Sequence, residues 1–216
     1  MNAIKLYNPG PINVSEDTYQ AMSTAMIGHR GGDFVKLYED IHPKLQKIFN
    51  TSGPVYLSTS SAWGVMEAAI RNLSSKKVLN CCNGAFSDKW LDVSKRCGLN
   101  AESLSAEWGS PICPEELDKN LATNEFDVVT LVHNETSTGV MNPLKEISEI
   151  VNKYQDVLLV VDTVSSFSAT PINTEEFKID VVLTGSQKAL ALPPGLALFT
   201  VSDKALKKAE TIANRG

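Results

Sequence analysis

Seven short runs of apolar and β-branched residues recur along the chain, separated by stretches long enough to hold a helix. They are Val55 to Thr59, Lys77 to Cys81, Ala101 to Ser105, Val128 to Val132, Leu158 to Asp162, Val181 to Gly185 and Leu196 to Val201. Runs of this length and composition read as strands. DVVTLV and VLLVVD are apolar with little alternation, as expected of strands covered on both faces by helices. Between the runs, apolar residues recur at three-and-four spacing, predicting helices from Val65 to Leu73 and from Leu144 to Tyr154. A longer helix is expected from about Gly32 to Phe49, with Phe34, Leu37, Ile41, Leu45 and Ile48 forming a stripe that packs against the rest of the domain. Strands alternating with helices predict an α/β fold: a seven-stranded, mostly parallel sheet with helices on both faces.

The first 14 residues carry Pro9, Gly10 and Pro11 and no periodicity, so they read as an arm laid over a domain that occupies 15–216. At the other end, KALKKAETIANRG begins as a helix and stops. The net charge of −5 and the scattered lysines leave no basic stripe, which argues against nucleic acid as a partner. Nowhere do eighteen apolar residues follow one another, and the N-terminus lacks the pattern of a secretory leader. A soluble, reducing, cytoplasmic setting is expected. The cysteines at 81, 82, 97 and 113 form no C-x-x-C pair, and only three histidines accompany them, so no metal site is expected.

In a wound sheet of this kind ligands gather beyond the carboxyl ends of the strands. Five candidate strands end in polar chemistry, and the first of them runs through Ser58-Thr59-Ser60-Ser61-Ala62-Trp63-Gly64 into a helix. Small hydroxyl residues at a helix N-terminus suit a phosphate, although an ordinary N-cap looks the same. The fifth strand ends in Asp162-Thr163. A carboxylate there is costly unless paired, but a turn role is equally compatible with the sequence. The sixth runs into Ser186-Gln187-Lys188; burial could lower the pKa of such a lysine enough for imine chemistry, whereas a surface lysine is the ordinary alternative. Phe86, in NGAF after the second strand, offers a ring to stack on a ligand or a core side chain. Thr136, in HNETSTG after the fourth, offers a hydroxyl or simply a turn. Together these residues fit a single chemistry, with a phosphate on the helix N-terminus, a pyridine nitrogen kept protonated by the acid, and an imine on the lysine.

The runs NPGP, GHR, HNETSTGV, VVDTVSS and TGSQKALALPPGLA, in this order from Tyr7 to the end of the chain, with 26 residues from Asp162 to Lys188, resemble the class V aminotransferases of pyridoxal phosphate (PLP) fold type I. They look closest to the alanine/serine-glyoxylate branch. The resemblance implies that this is the cofactor-binding large domain and that a smaller C-terminal domain is absent from it. It implies Lys188 as the residue that holds PLP as an imine and then works as a base, and Asp162 as the partner of the pyridine nitrogen. It further implies that Ser61, Ala62 and Trp63 form the phosphate turn, with Gln187 adding a contact. Phe86 would stack on the ring, Val164 would pack on its other face, Thr136 would approach the ring oxygen, and Gly10 would lie near the substrate. Trp63 departs from the smaller or more polar residue of many relatives. The substrates implied are an amino acid such as alanine or serine and a 2-oxo acid such as glyoxylate or pyruvate, handled by a homodimer.

Two other readings share the fold. A cysteine desulfurase-like lyase would carry histidines where this chain has Gln187 and Phe86. A non-catalytic dimerisation or scaffold module would have no reason to keep Lys188, Asp162, Gln187 and Thr136 together.

Overall fold

Each predicted strand forms, within one residue at either end. The computed structural model describes residues 4–213 and Arg215; residues 1–3 of the expected arm lie outside the described residues. In chain order the helices and strands are α1 (Glu16–Met22), α2 (Gly32–Phe49), β1 (Val55–Ser58), α3 (Ala62–Leu73), β2 (Val78–Cys82), α4 (Ala85–Arg96), β3 (Ala101–Ser105), α5 (Pro114–Leu121) and β4 (Val128–Val132). They continue with β5 (Asn134–Glu135), β6 (Val140–Met141), α6 (Leu144–Val151), β7 (Leu158–Asp162), β8 (Val181–Gly185), β9 (Ala197–Val201) and α7 (Asp203–Glu210). The helix expected to reach Tyr154 stops at Val151 with Asn152 as its C-cap. The polar stretch after β4 forms a two-strand hairpin, β5 on β6, which the turn residues alone did not announce.

The main sheet has the order β1-β9-β8-β7-β4-β2-β3. Its central pairs are parallel, while β9 runs antiparallel to both β8 and β1. Two successive reversals return β1 to the direction of β8, so β1, β2, β3, β4, β7 and β8 all end at the same edge. The sheet is therefore the mostly parallel seven-stranded one that the hydrophobic pattern predicts.

Alternate residues of each strand serve opposite faces, as the pleat requires. Leu79, Val129, Leu131, Leu159, Val161 and Val182 join one buried cluster with Phe49, Leu117, Leu121 and Ile147 from α2, α5 and α6. Val78, Val128, Leu158, Val160, Val181 and Leu183 join the other with Met66, Ile70, Trp90 and Ala205 from α3, α4 and α7. Burial on both sides explains why β2, β4, β7 and β8 are buried at every position.

One expectation holds only in part. Of the stripe on α2, Leu45 packs against the first cluster and Ile41 is half-buried, but Phe34, Leu37 and Ile48 are 40%, 46% and 42% exposed, and Phe49 is the helix's buried residue. The 3.6-residue period registers a face that avoids water, but it cannot say whether the cover lies within the chain. Helix α1 likewise buries none of its residues.

At the sheet's amino edge, Asp127 is buried immediately before β4 and accepts from the backbone N–H groups of Ser75, Lys76 and Lys77 at 2.7, 3.0 and 3.2 Å and from both Ser74 and Ser75 hydroxyls. Lys208 of α7 adds an ion pair at 3.0 Å. Burial works against the charge, yet the Ser75 bonds and Lys208 outweigh it and hold the carboxyl below its ordinary range. Asp127→Ala would remove the common acceptor of three backbone donors and the partner of Lys208, and a loss of about 2 to 3 kcal/mol in unfolding free energy is expected, to be read from urea melts at pH 7.

Candidate active site

Because six strands end at one edge, the loops that leave them converge. Between them lies a cleft of about 470 Å³, and every residue singled out in the sequence lines it: Gly10, Ser61, Ala62, Trp63, Phe86, Thr136, Asp162, Val164, Gln187 and Lys188. The apolar runs place the loops, and the parallel order brings the loops together.

Asp162 closes β7 and is buried, with 6% of its surface exposed. Its Oδ1 accepts from the Val164 N–H at 2.7 Å, and Oδ2 has no partner among the described residues. Burial pushes the carboxyl up to about 6; the Val164 N–H and the charge of Lys188 pull the other way, and Glu135 adds to the rise. Lys188, on the loop after β8, is half-buried. Burial draws its amine below the usual lysine value against the opposing influence of Asp162 and Glu135. Its Nζ donates to Ser165 Oγ at 2.5 Å and to Thr136 Oγ1 at 3.2 Å, and lies 5.6 Å from the centre of the Phe86 ring. Phe86 is 38% exposed toward the cleft, so it is not the core residue its neighbours in sequence equally allowed. Gly10 is seated hard against this lysine, since a Cβ there would come within 2.8 Å of Lys188 Cγ.

Two helices bring their N-termini to this cleft, and they differ. The N-terminus of α4 is filled from within: Glu135, fully buried, accepts from the Phe86 and Ser87 N–H groups at 3.2 and 3.0 Å, and Ser137 Oγ accepts from the Ala85 N–H at 2.9 Å. The other Glu135 oxygen accepts from the Ser137 N–H and hydroxyl at 3.1 and 2.7 Å. Gly84 is required here because a side chain would collide with the Glu135 stem. By contrast, Ser61 at the start of α3 makes no side-chain cap, so the positive end of that dipole faces the cleft. Trp63 sits in the first turn with Lys89 of α4 over its ring at 4.6 Å.

Sequence reasoning did not single out Ser165 or Glu135. Ser165 follows Val164 in the very run VVDTVSS, but nothing one-dimensional separates it from Ser166, which instead bonds His133 Nδ1 at 2.9 Å. Burial takes His133 down to about 4, so it is neutral at pH 7. Glu135 lies in HNETSTG, where a charged residue in a polar turn looks solvated; only the hairpin β5–β6 turns it inward against α4.

Residues 12–216 match the family model described as aminotransferase class-V. The chain belongs to this family. An uncharacterised aminotransferase of Methanocaldococcus jannaschii is 43% identical over 95% of this class-V chain and 54% of its own length. The serine–glyoxylate aminotransferase of Methylorubrum extorquens is 36% identical over 97% of the chain and 54% of its own length. Among solved structures, an alanine–glyoxylate aminotransferase from Nostoc sp. superposes with a TM-score of 0.90 at 30% identity, over 99% of this chain and 60% of that one. The chain thus spans about half the length of the curated relatives it matches, and its fold is that of the fold type I aminotransferases.

The buried acid has a testable consequence for stability. Its folded pKa lies above its unfolded one, so the folded state binds the proton more tightly and stability falls as pH rises from about 4 to about 6, remaining lower above that. An Asp162→Asn protein, which keeps the acceptor for Val164, should match the parent near pH 4 and exceed it by about 2 to 3 kcal/mol at pH 8, measured by urea unfolding of the cofactor-free protein at both pH values.

Proposed function

We propose that this chain is the PLP-binding part of an aminotransferase, with residues 15–216 as the cofactor domain and 1–14 as an arm across it, and that the whole protein moves an amino group from alanine or serine to a 2-oxo acid such as glyoxylate or pyruvate. One observation carries the reading: an acid at the end of β7 and an amine after β8 share a single cleft with the open N-terminus of α3. Relatives named as serine–, alanine– and aspartate–glyoxylate aminotransferases support the choice of substrates.

The residues fit the cofactor. Asp162, with one oxygen free toward the cleft, would keep a proton on the pyridine nitrogen; its burial makes that charge-assisted bond strong. The α3 N-terminus with Ser61, Ala62 and Trp63, aided by Gln187, would bind the phosphate, since the N-terminus of α4 is already occupied by Glu135. Phe86 and Val164 would enclose the ring, and Thr136 would meet its oxygen. Lys188 would hold the cofactor through Nζ and, once released, move a proton at the substrate α-carbon; burial lowers its pKa, so the amine gives up its own proton more readily than an ordinary lysine does. PLP, when bound, supplies the electron sink that makes that α-proton acidic.

Gln187 and Phe86 stand where a desulfurase-like lyase would need histidines, and this weighs against that alternative. The uncovered part of the α2 stripe, Phe34, Leu37 and Ile48, supports a homodimer that buries it. Among the described residues no helix is long and apolar enough to cross a membrane, and the four cysteines are free, which suits the cytoplasm.

The cofactor assignment is tested by adding PLP to the chain, reducing with borohydride and mapping the label by mass spectrometry. A phosphopyridoxyl group on Lys188 is expected, and its persistence in Lys188→Ala would overturn the assignment. For the reaction, the full-length protein should form glycine from glyoxylate with L-alanine or L-serine as donor. Release of sulfide from L-cysteine without such transfer would favour the lyase.

A further inference from the structure

The only hydrogen-bond partners of Lys188 Nζ among the described residues are two hydroxyls, Ser165 Oγ at 2.5 Å and Thr136 Oγ1 at 3.2 Å, and these hydroxyls bond each other at 2.5 Å. The three atoms close a small ring at the mouth of the loops after β4, β7 and β8. The carboxylates that face the amine, Asp162 and Glu135, influence it at a distance and do not bond it: Glu135 is committed to α4 and to Ser137, and Asp162 to Val164. A carboxylate in contact would lock the lysine as an ammonium ion. A hydroxyl pair can accept from the ammonium and donate to the free amine, because each hydroxyl is both donor and acceptor. The same pair therefore serves either protonation state.

We propose that Ser165, together with Thr136, forms a seat that receives the Lys188 amine whenever it is not covalently engaged and holds it at the reacting end of the cleft. Ser165 touches the reacting nitrogen and supplies the shorter of its two bonds. Thr136 alone would leave the four-carbon stem with one long contact and freedom to swing toward solvent. The inference rests on the reading that Lys188 is the amine that holds the cofactor. It adds a second role to Thr136 and a residue, Ser165, to the site.

Two measurements on the chain without cofactor separate this inference from that reading. The rate at which acetic anhydride labels Lys188, followed by mass spectrometry against pH, gives the midpoint of its titration. Loss of a charge-assisted hydrogen bond in Ser165→Ala should lower that midpoint by about one pH unit, with Ser165→Thr, which keeps the hydroxyl, returning it to the parent value. Well above the midpoint, where the amine is neutral in both proteins, PLP should attach to Lys188 about tenfold more slowly in Ser165→Ala, because the nucleophile is no longer held in place. Far-UV circular dichroism confirms that each variant is folded. An unchanged midpoint in Ser165→Ala, or the same shift in Ser165→Ala and Ser165→Thr, overturns the seat. Failure of PLP to label Lys188 in the parent overturns the cofactor reading instead, and the anhydride comparison still decides the role of Ser165.

Discussion

A carboxylate at the end of an apolar strand is the constraint on which this site turns. Asp162 closes a strand buried at all five positions, in a place where water solvates the charge poorly. One backbone N–H compensates it in part and Lys188 acts from a distance, yet the carboxyl remains strained upward in pKa. A buried acid left short of partners is a cost to the fold, and a ligand that brings a proton on a nitrogen to its free oxygen removes that cost. Site and fold are coupled through this residue: the covering that stabilises β7 on both faces also creates the environment in which the acid would work.

Glu135 shows the opposite solution to the same problem. It is as deeply buried as Asp162, but two helical N–H groups and three groups from Ser87 and Ser137 surround its oxygens. Its charge is thereby spent on structure, anchoring the turn that presents Phe86 to the cleft. It also settles which helix can take an anion, because α4 has its own carboxylate and α3 does not. Two helices of equal length with similar positions relative to the sheet thus end up with different capacities, through one side chain that arrives from a hairpin.

Cover is distributed unevenly over the domain. The central strands are enclosed on both faces, while α1 and most of α2 lie on the surface with apolar side chains outward. The chain spans about half the length of the curated relatives it matches.

The strands, their order along the chain and the ends that carry chemistry were legible from the residues alone, because strand formation here follows from local runs of β-branched and apolar side chains. Helix α2 was legible to the residue at both ends. So were Lys188, Asp162 and the rest of the motif residues, which are neighbours of strand ends and need no knowledge of the fold to be located. Three things were decided only in three dimensions: that six strand ends share an edge, that Glu135 points inward while Thr136 and Ser165 point at one amine, and that most of the α2 stripe finds no cover within the chain. Each depends on pairings between residues distant in sequence, Ser165 with Lys188 or Glu135 with Phe86, and a period or a motif records the local preference of a residue but not which distant surface arrives to meet it.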